Sequence, residues 1–148
     1  MSKKVEVNIE IDTTPERVIE AFMDAQMLKE WWEVEKCLIQ KKVGGIYTLA
    51  WNITESGMAF VSTGIIKNYD PAGELTITDF VYLNPDKPFL GPMSLWVKAI
   101  PNDSSSDVYL CQDGYQEGDD WDWYYQAVKE AWPKVMVSFK EYLEGISP

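Results

Sequence analysis

The strongest constraint on the fold sits at the end of the chain. Trp121, Tyr125, Val128, Trp132, Val135, Phe139 and Tyr142 recur at alternating intervals of 4 and 3 residues, one continuous apolar stripe on a long helix that no strand reading fits. Asp119, Asp120 and Asp122 crowd its start, where the helix dipole favours anions, and Gly145 closes it. Pro133 lies within the stripe. It deletes one backbone hydrogen bond, which predicts a kink or a break over 129–132. Such a stripe has to be buried against another element.

The rest of the chain supplies that surface. Residues 3–11 alternate, with Val5, Val7, Ile9 and Ile11 on one face and Lys4, Glu6, Asn8 and Glu10 on the other, the pattern of a half-buried strand. Thr14 followed by Pro15 and Glu16 is a helix start. Val18, Ile19, Phe22 and Met23 then recur at helical spacing, and a second short helix over 25–32 ends in Trp31 and Trp32. From 34 to 114 the reading is strand, turn, strand, with strands at 34–39, 45–53, 58–69, 75–82, 93–100 and 107–112. Turns fall at Gly44-Gly45, Glu55-Ser56-Gly57, Asp70-Pro71-Ala72-Gly73 and the Asn102–Asp107 serine run. Short turns between consecutive strands imply an antiparallel meander. The expected fold class is α+β: a single domain over 1–148, with a curved antiparallel sheet of six to seven strands around the long C-terminal helix, in the order β-α-α-β(5–6)-α. One helix about 10 Å wide cannot fill a broadly curved sheet, so the gap between them is the expected ligand site.

Composition narrows the chemistry. Lys+Arg number 13 against 24 Asp+Glu, a formal charge of -11. Phosphate neutralisation needs clustered cations, so neither a nucleic acid nor an anionic membrane is an expected partner. No run approaches the ~18 apolar residues of a membrane span. The N-terminus lacks the apolar core of a secretory leader, and Cys37 and Cys111 read as reduced structural thiols, which together predict a cytoplasmic protein. Histidine is absent, which removes Ser-His and Cys-His nucleophiles, His-ligated zinc and His general bases. The acidic run Glu117, Asp119, Asp120 and Asp122 lacks the spacing of a calcium loop and reads as a solvated helix start. No metal and no cofactor is expected, and no catalytic residue stands out.

Candidate binding residues follow from strand alternation. Tyr47, Leu49 and Trp51 share one face of their strand. If that face looks inward, Tyr47 and Trp51 join Trp121, Tyr125, Val128 and Trp132 of the helix around one aromatic cavity, with phenol and indole groups as polar handles. Continuing Leu75 and Ile77 to Asp79 puts a carboxylate inward, where burial raises its pKa and makes it a ligand anchor or general base. The alternative is a strand end, with Asp79 in solvent. Gln112 follows Val108 and Leu110 inward, and its amide either orients a polar ligand group or bonds a neighbouring loop. Trp96 and Tyr109 fall on the outer face, as an interface or as a pair covered by lysine stems.

Particular words in the chain resemble those of a known family. TPERVIEAFMDAQMLKEWW (14–32) resembles its opening helix pair. KVGGIYTLAW (42–51) resembles its Val-Gly-Gly-x-Tyr strand, and TGIIKNYDPAGELTIT (63–78) its Asp-Pro bend. VKAIPNDSSSDVYLCQDGY (97–115) resembles its penultimate hairpin. WDWYYQAVKEAWPKVMVSFKEYLEG (121–145) resembles its closing helix, with Trp-Pro and Phe-Lys-x-Tyr-Leu-Glu. In this order they are similar to the branch named for the C-terminal domain of the activator of Hsp90 ATPase, within the START/Bet v 1-like superfamily. The resemblance implies the helix-grip fold, in a superfamily whose members bind lipids, polyketides, hormones and toxins and of which a minority catalyse cyclisation or hydrolysis. Two departures stand out: Thr78-Asp79 replaces a frequent Thr-Trp, and Gln112 stands where relatives often place a histidine. Three function classes remain. The favoured one is binding of a small hydrophobic or aromatic molecule in the cavity. The others are a chaperone-associated interaction module, implied by the family name, and an enzyme acting on a hydrophobic substrate. A homodimer and a chaperone contact stay open as partners.

Overall fold

In the computed structural model, which describes residues 3–55 and 57–145, the chain runs β1 (Lys4–Ile11), α1 (Pro15–Met23), α2 (Ala25–Trp32), β2 (Lys36–Ile39), β3 (Ile46–Thr54), β4 (Gly57–Asp70), β5 (Glu74–Leu83), β6 (Leu90–Asn102), β7 (Ser105–Asp113) and α3 (Asp119–Gly145). Ser56 of the expected turn lies outside the described residues. The strands form one seven-stranded antiparallel sheet in the order β1-β7-β6-β5-β4-β3-β2. The first strand pairs with the last, so the α1–α2 segment crosses from one edge of the sheet to the other. This is the helix-grip arrangement, a curved sheet around the long C-terminal helix.

The helices begin where their capping chemistry dictates. The Thr14 hydroxyl accepts from the Arg17 N–H at 3.3 Å and Pro15 takes the first turn of α1, while Asp24 accepts from the Met27 N–H at 2.9 Å to open α2. Their far ends are closed by side chains from elsewhere in the fold. The Trp31 indole donates to the Ala21 carbonyl at 2.8 Å and the Tyr47 hydroxyl to the Phe22 carbonyl at 2.6 Å, so both aromatics satisfy last-turn carbonyls of α1.

α3 runs 27 residues without a break through Pro133, against the expected kink or division. Met136, Phe139 and Leu143 continue beyond it the buried face that Tyr124, Val128 and Trp132 form before it. Packing on both sides holds one axis, and Lys129 and Pro133 both lie on the exposed side, where water can reach the freed carbonyl. α3 lies against β1 and α2, and Phe139 meets Trp31 and Phe22 at ring-centroid distances of 4.5 and 5.1 Å.

One irregularity shapes the sheet beside α3. Between Ile77 and Phe80, β5 carries one more residue than either neighbour: Thr63 and Ile65 of β4 pair with Val81 and Thr78, and Leu95 and Met93 of β6 pair with Ile77 and Phe80. This β-bulge turns the alternation over, so Leu75 and Ile77 face inward, followed by Phe80 and Tyr82. Asp79 takes a left-handed conformation (φ 49°) and is exposed. Its expected inward position is thereby corrected: the extra residue shifts the period by one. Gly64 of β4 crosses beside the bulge, where an added Cβ would stand 2.8 Å from the Thr78 carbonyl oxygen and 2.6 Å from Ile77. Gly64→Ala is expected to destabilise by about 1–3 kcal/mol, seen as a lower urea midpoint with unchanged slope.

Candidate functional site

The well-packed half of α3 is its C-terminal half. Nearer the N-terminus a space is left between the helix and β3–β5, where Ala127 and Ala131, four residues apart and both exposed, interrupt the larger side chains of that flank. A cavity of about 230 Å³ fills the space. Tyr124, Val128, Trp132 and Val135 form its helical wall, Trp51, Ser62, Phe80 and Tyr82 its sheet wall; Trp32 of α2 closes one end, and Gln112 of β7 lies at its base. The mouth opens past the two alanines. Trp32 is held edge-on to Trp51 at 5.2 Å, and the Trp51 indole donates to the Trp32 carbonyl at 3.0 Å, which ties the end of α2 to β3.

The base is polar and ordered. Gln112 is 1% exposed. Its Oε1 accepts from the Trp132 Nε1 at 2.8 Å, and its Nε2 donates to the Tyr124 hydroxyl at 3.0 Å and to the Met93 sulfur at 3.4 Å. The Tyr82 ring lies 4.9 Å from that of Tyr124, and its hydroxyl accepts from the Asn84 amide at 3.2 Å. Burial pushes both phenols above their ordinary pKa, against a smaller lowering by Gln112 at Tyr124 and by Asn84 at Tyr82. Both remain neutral hydrogen-bonding groups at physiological pH. Among the described residues no carboxylate, lysine or arginine lines the cavity.

Of the residues singled out in the sequence, the structure brings Trp51, Gln112, Val128 and Trp132 together here. Tyr47 is wholly buried beneath α1, bonded to Phe22 as described, and does not reach the cavity. Trp121 and Tyr125 pack instead around Tyr115, at 6.4 and 5.1 Å, with Lys3 5.1 Å above the Tyr125 ring. That places them on the β1 side of α3, opposite Ala127 and Ala131. The stripe read from the sequence follows a 3.5-residue period, whereas the buried face of a straight helix keeps to 3.6 and drifts off it by roughly 20° per heptad. Tyr124, Ala127 and Ala131 were missed for that reason, and Phe80 and Tyr82 because the bulge hides their phase. A paired alanine at i and i+4 beside large aromatics was the available signal.

Outside the cavity, Trp96 and Tyr109 form an edge-to-face pair at 5.2 Å on the outer sheet face, with Trp96 donating to Glu74 and Tyr109 to Glu6. In the acidic run, Asp122 pairs with Lys3 at 3.3 Å and Asp120 with Lys87 at 3.4 Å. Among the described residues no group of three or more His, Cys, Asp or Glu is placed to hold a metal ion, and no helix is long and apolar enough to cross a membrane.

Comparison with known proteins agrees with this architecture. The family described as activator of Hsp90 ATPase homolog 1-like protein matches residues 12–144. Protein MLL2253 from Mesorhizobium loti superimposes with a TM-score of 0.77 at 18% identity, covering 99% of this chain and all of the other (100%). The Aha1 dimer from Colwellia psychrerythraea gives 0.70 at 16% identity, with 97% of each chain covered. CalU16 from Micromonospora echinospora gives 0.69 at 14% identity, covering 97% of this chain and 78% of its own. No curated protein matches significantly in sequence.

Proposed function

The chain belongs to the activator of Hsp90 ATPase homolog 1-like family, and we propose that it binds a small apolar or aromatic molecule in the cavity between α3 and the sheet. The observation that carries this reading is the composition of the cavity wall. Aromatic and aliphatic side chains surround one buried, fully bonded amide, the pattern of a small-molecule site with few fixed polar groups. Its volume of about 230 Å³ exceeds the roughly 150 Å³ of an apolar cavity that holds benzene, so one substituted ring or a small fused pair fits. Binding without turnover is the favoured form, because the walls hold neither an ionised base nor an activated nucleophile. The residues proposed to touch the ligand are Trp51, Gln112, Tyr124, Val128 and Trp132. A homodimer is compatible with this reading, the Colwellia structure being described as a dimer.

A ligand that binds only the folded state stabilises it by about 2.7 kcal/mol at 100 times its dissociation constant. At about 2–4 °C per kcal/mol, a thermal-shift screen of neutral aromatic compounds is expected to yield ligands that raise the melting midpoint by about 5–10 °C. A screen in which no such compound shifts the midpoint, while immobilised Hsp90 captures the protein, would favour the chaperone module instead.

A further inference from the structure

The donor and acceptor inventory at the base of the cavity constrains the ligand beyond its size. An indole N–H can only donate. Trp132 therefore requires the oxygen of the Gln112 side chain, and the 2.8 Å bond gives it that oxygen. This settles which way the amide points, since its nitrogen must then face Tyr124, 3.0 Å away. An amide N–H also only donates, so the Tyr124 hydroxyl oxygen is the acceptor in that bond. Its own hydrogen must go elsewhere, and the structure gives it no acceptor among the described residues. Tyr124 lines the cavity, which offers that hydrogen a place to meet an acceptor. A donor left without a partner in a largely apolar site is costly.

We infer that the ligand is a neutral carbonyl compound, a ketone or aldehyde on a small apolar ring system, whose oxygen accepts the Tyr124 hydroxyl hydrogen. This rests on the cavity being the binding site, as proposed above, and goes further by naming the group that is recognised. An anionic oxygen would satisfy the same donor but is disfavoured, because no cation among the described residues lines the cavity and the chain carries a formal charge of -11. A pure hydrocarbon would fill the space and leave the hydroxyl unanswered.

The test uses three probes of one shape: 1-indanone, indane and indane-1-carboxylate, titrated into the protein with Trp fluorescence and protein-observed NMR as readouts. 1-Indanone is expected to bind about three- to tenfold more tightly than indane, the range of one net hydrogen bond, and the carboxylate more weakly than either. In Tyr124→Phe the ratio of the two affinities should fall to about one, whatever the variant does to the affinity for indane itself. The carbonyl stretch of bound 1-indanone should move to lower wavenumber in the wild-type protein and return in the variant. Equal binding of indane and 1-indanone, or tightest binding of the carboxylate, overturns the inference and leaves the cavity reading standing. If no probe binds the wild-type protein, both fail.

Discussion

Phe139→Ala is expected to lower stability by about 3–5 kcal/mol, the cost of truncating a buried aromatic that its surroundings cannot close over. The ring is 0% exposed and sits where three elements meet: it contacts Phe22 of α1 and Trp31 of α2 from the C-terminal half of α3. None of these neighbours is free to fill the hole. Phe22 and Trp31 meet each other edge-on at 5.1 Å, and Trp31 is pinned through its indole to the Ala21 carbonyl. At about 2–4 °C per kcal/mol, the melting midpoint should fall by about 6–20 °C. Because Phe139 does not line the cavity, ligand-induced stabilisation should survive in whatever fraction remains folded. A loss below 1 kcal/mol in urea unfolding would mean that α3 is not anchored through this contact.

The same element shows which structural facts a lone sequence carries. A helix of this length with a single apolar face, following a run of alternating segments, admits few partners, and the meander from β2 to β7 follows from turn chemistry that is local, whereas the pairing of β1 with β7 does not. The glycine pair at 44–45 and the Asp-Pro bend at 70–71 fall at the ends of β3 and β4 as read. The candidate site is less legible because it depends on phase. Trp132 and Val128 fall within both a 3.5- and a 3.6-residue period and were recognised, whereas Trp121 and Tyr125 belong only to the first and turned out on the opposite flank. Asp79 is the strand counterpart. Its inward position followed from strict alternation, and a single inserted residue, visible only once β4 and β6 are paired with β5, exchanged it for Phe80. Gln112 was recognised because β7 has no such insertion between Val108 and Gln112. The partners that give it meaning, Trp132 and Tyr124, are distant in sequence, and no local pattern connects them.

Trp132→Ala should cost a further set of contacts and, unlike Phe139→Ala, should abolish the response to ligand. The indole is buried, meets Trp32 at 5.2 Å and donates to Gln112. Removing it is expected to cost about 3–5 kcal/mol, part of which is the amide oxygen left without its donor, itself worth about 1–3 kcal/mol. The hole would not be sealed, because it merges with a cavity that already opens past Ala127 and Ala131. A ligand would then lose one wall, so the midpoint shift of about 5–10 °C expected for the wild-type protein should fall to about zero. Trp121→Ala is the matched control: it also removes a tryptophan from α3, but one that lies outside the cavity, against Tyr115 and the edge of Tyr124, so most of the ligand shift should persist. Trp132→Phe separates bulk from bonding. It keeps most of the ring but removes the one donor that orients the Gln112 amide. The amide is then free to turn its oxygen toward Tyr124 and take up that hydroxyl's hydrogen. The protein should still bind apolar rings yet no longer distinguish a ketone from the corresponding hydrocarbon. A Trp132→Phe protein that retains the full preference for 1-indanone would show that the orientation of the amide, and with it the role assigned to Tyr124, has been misread.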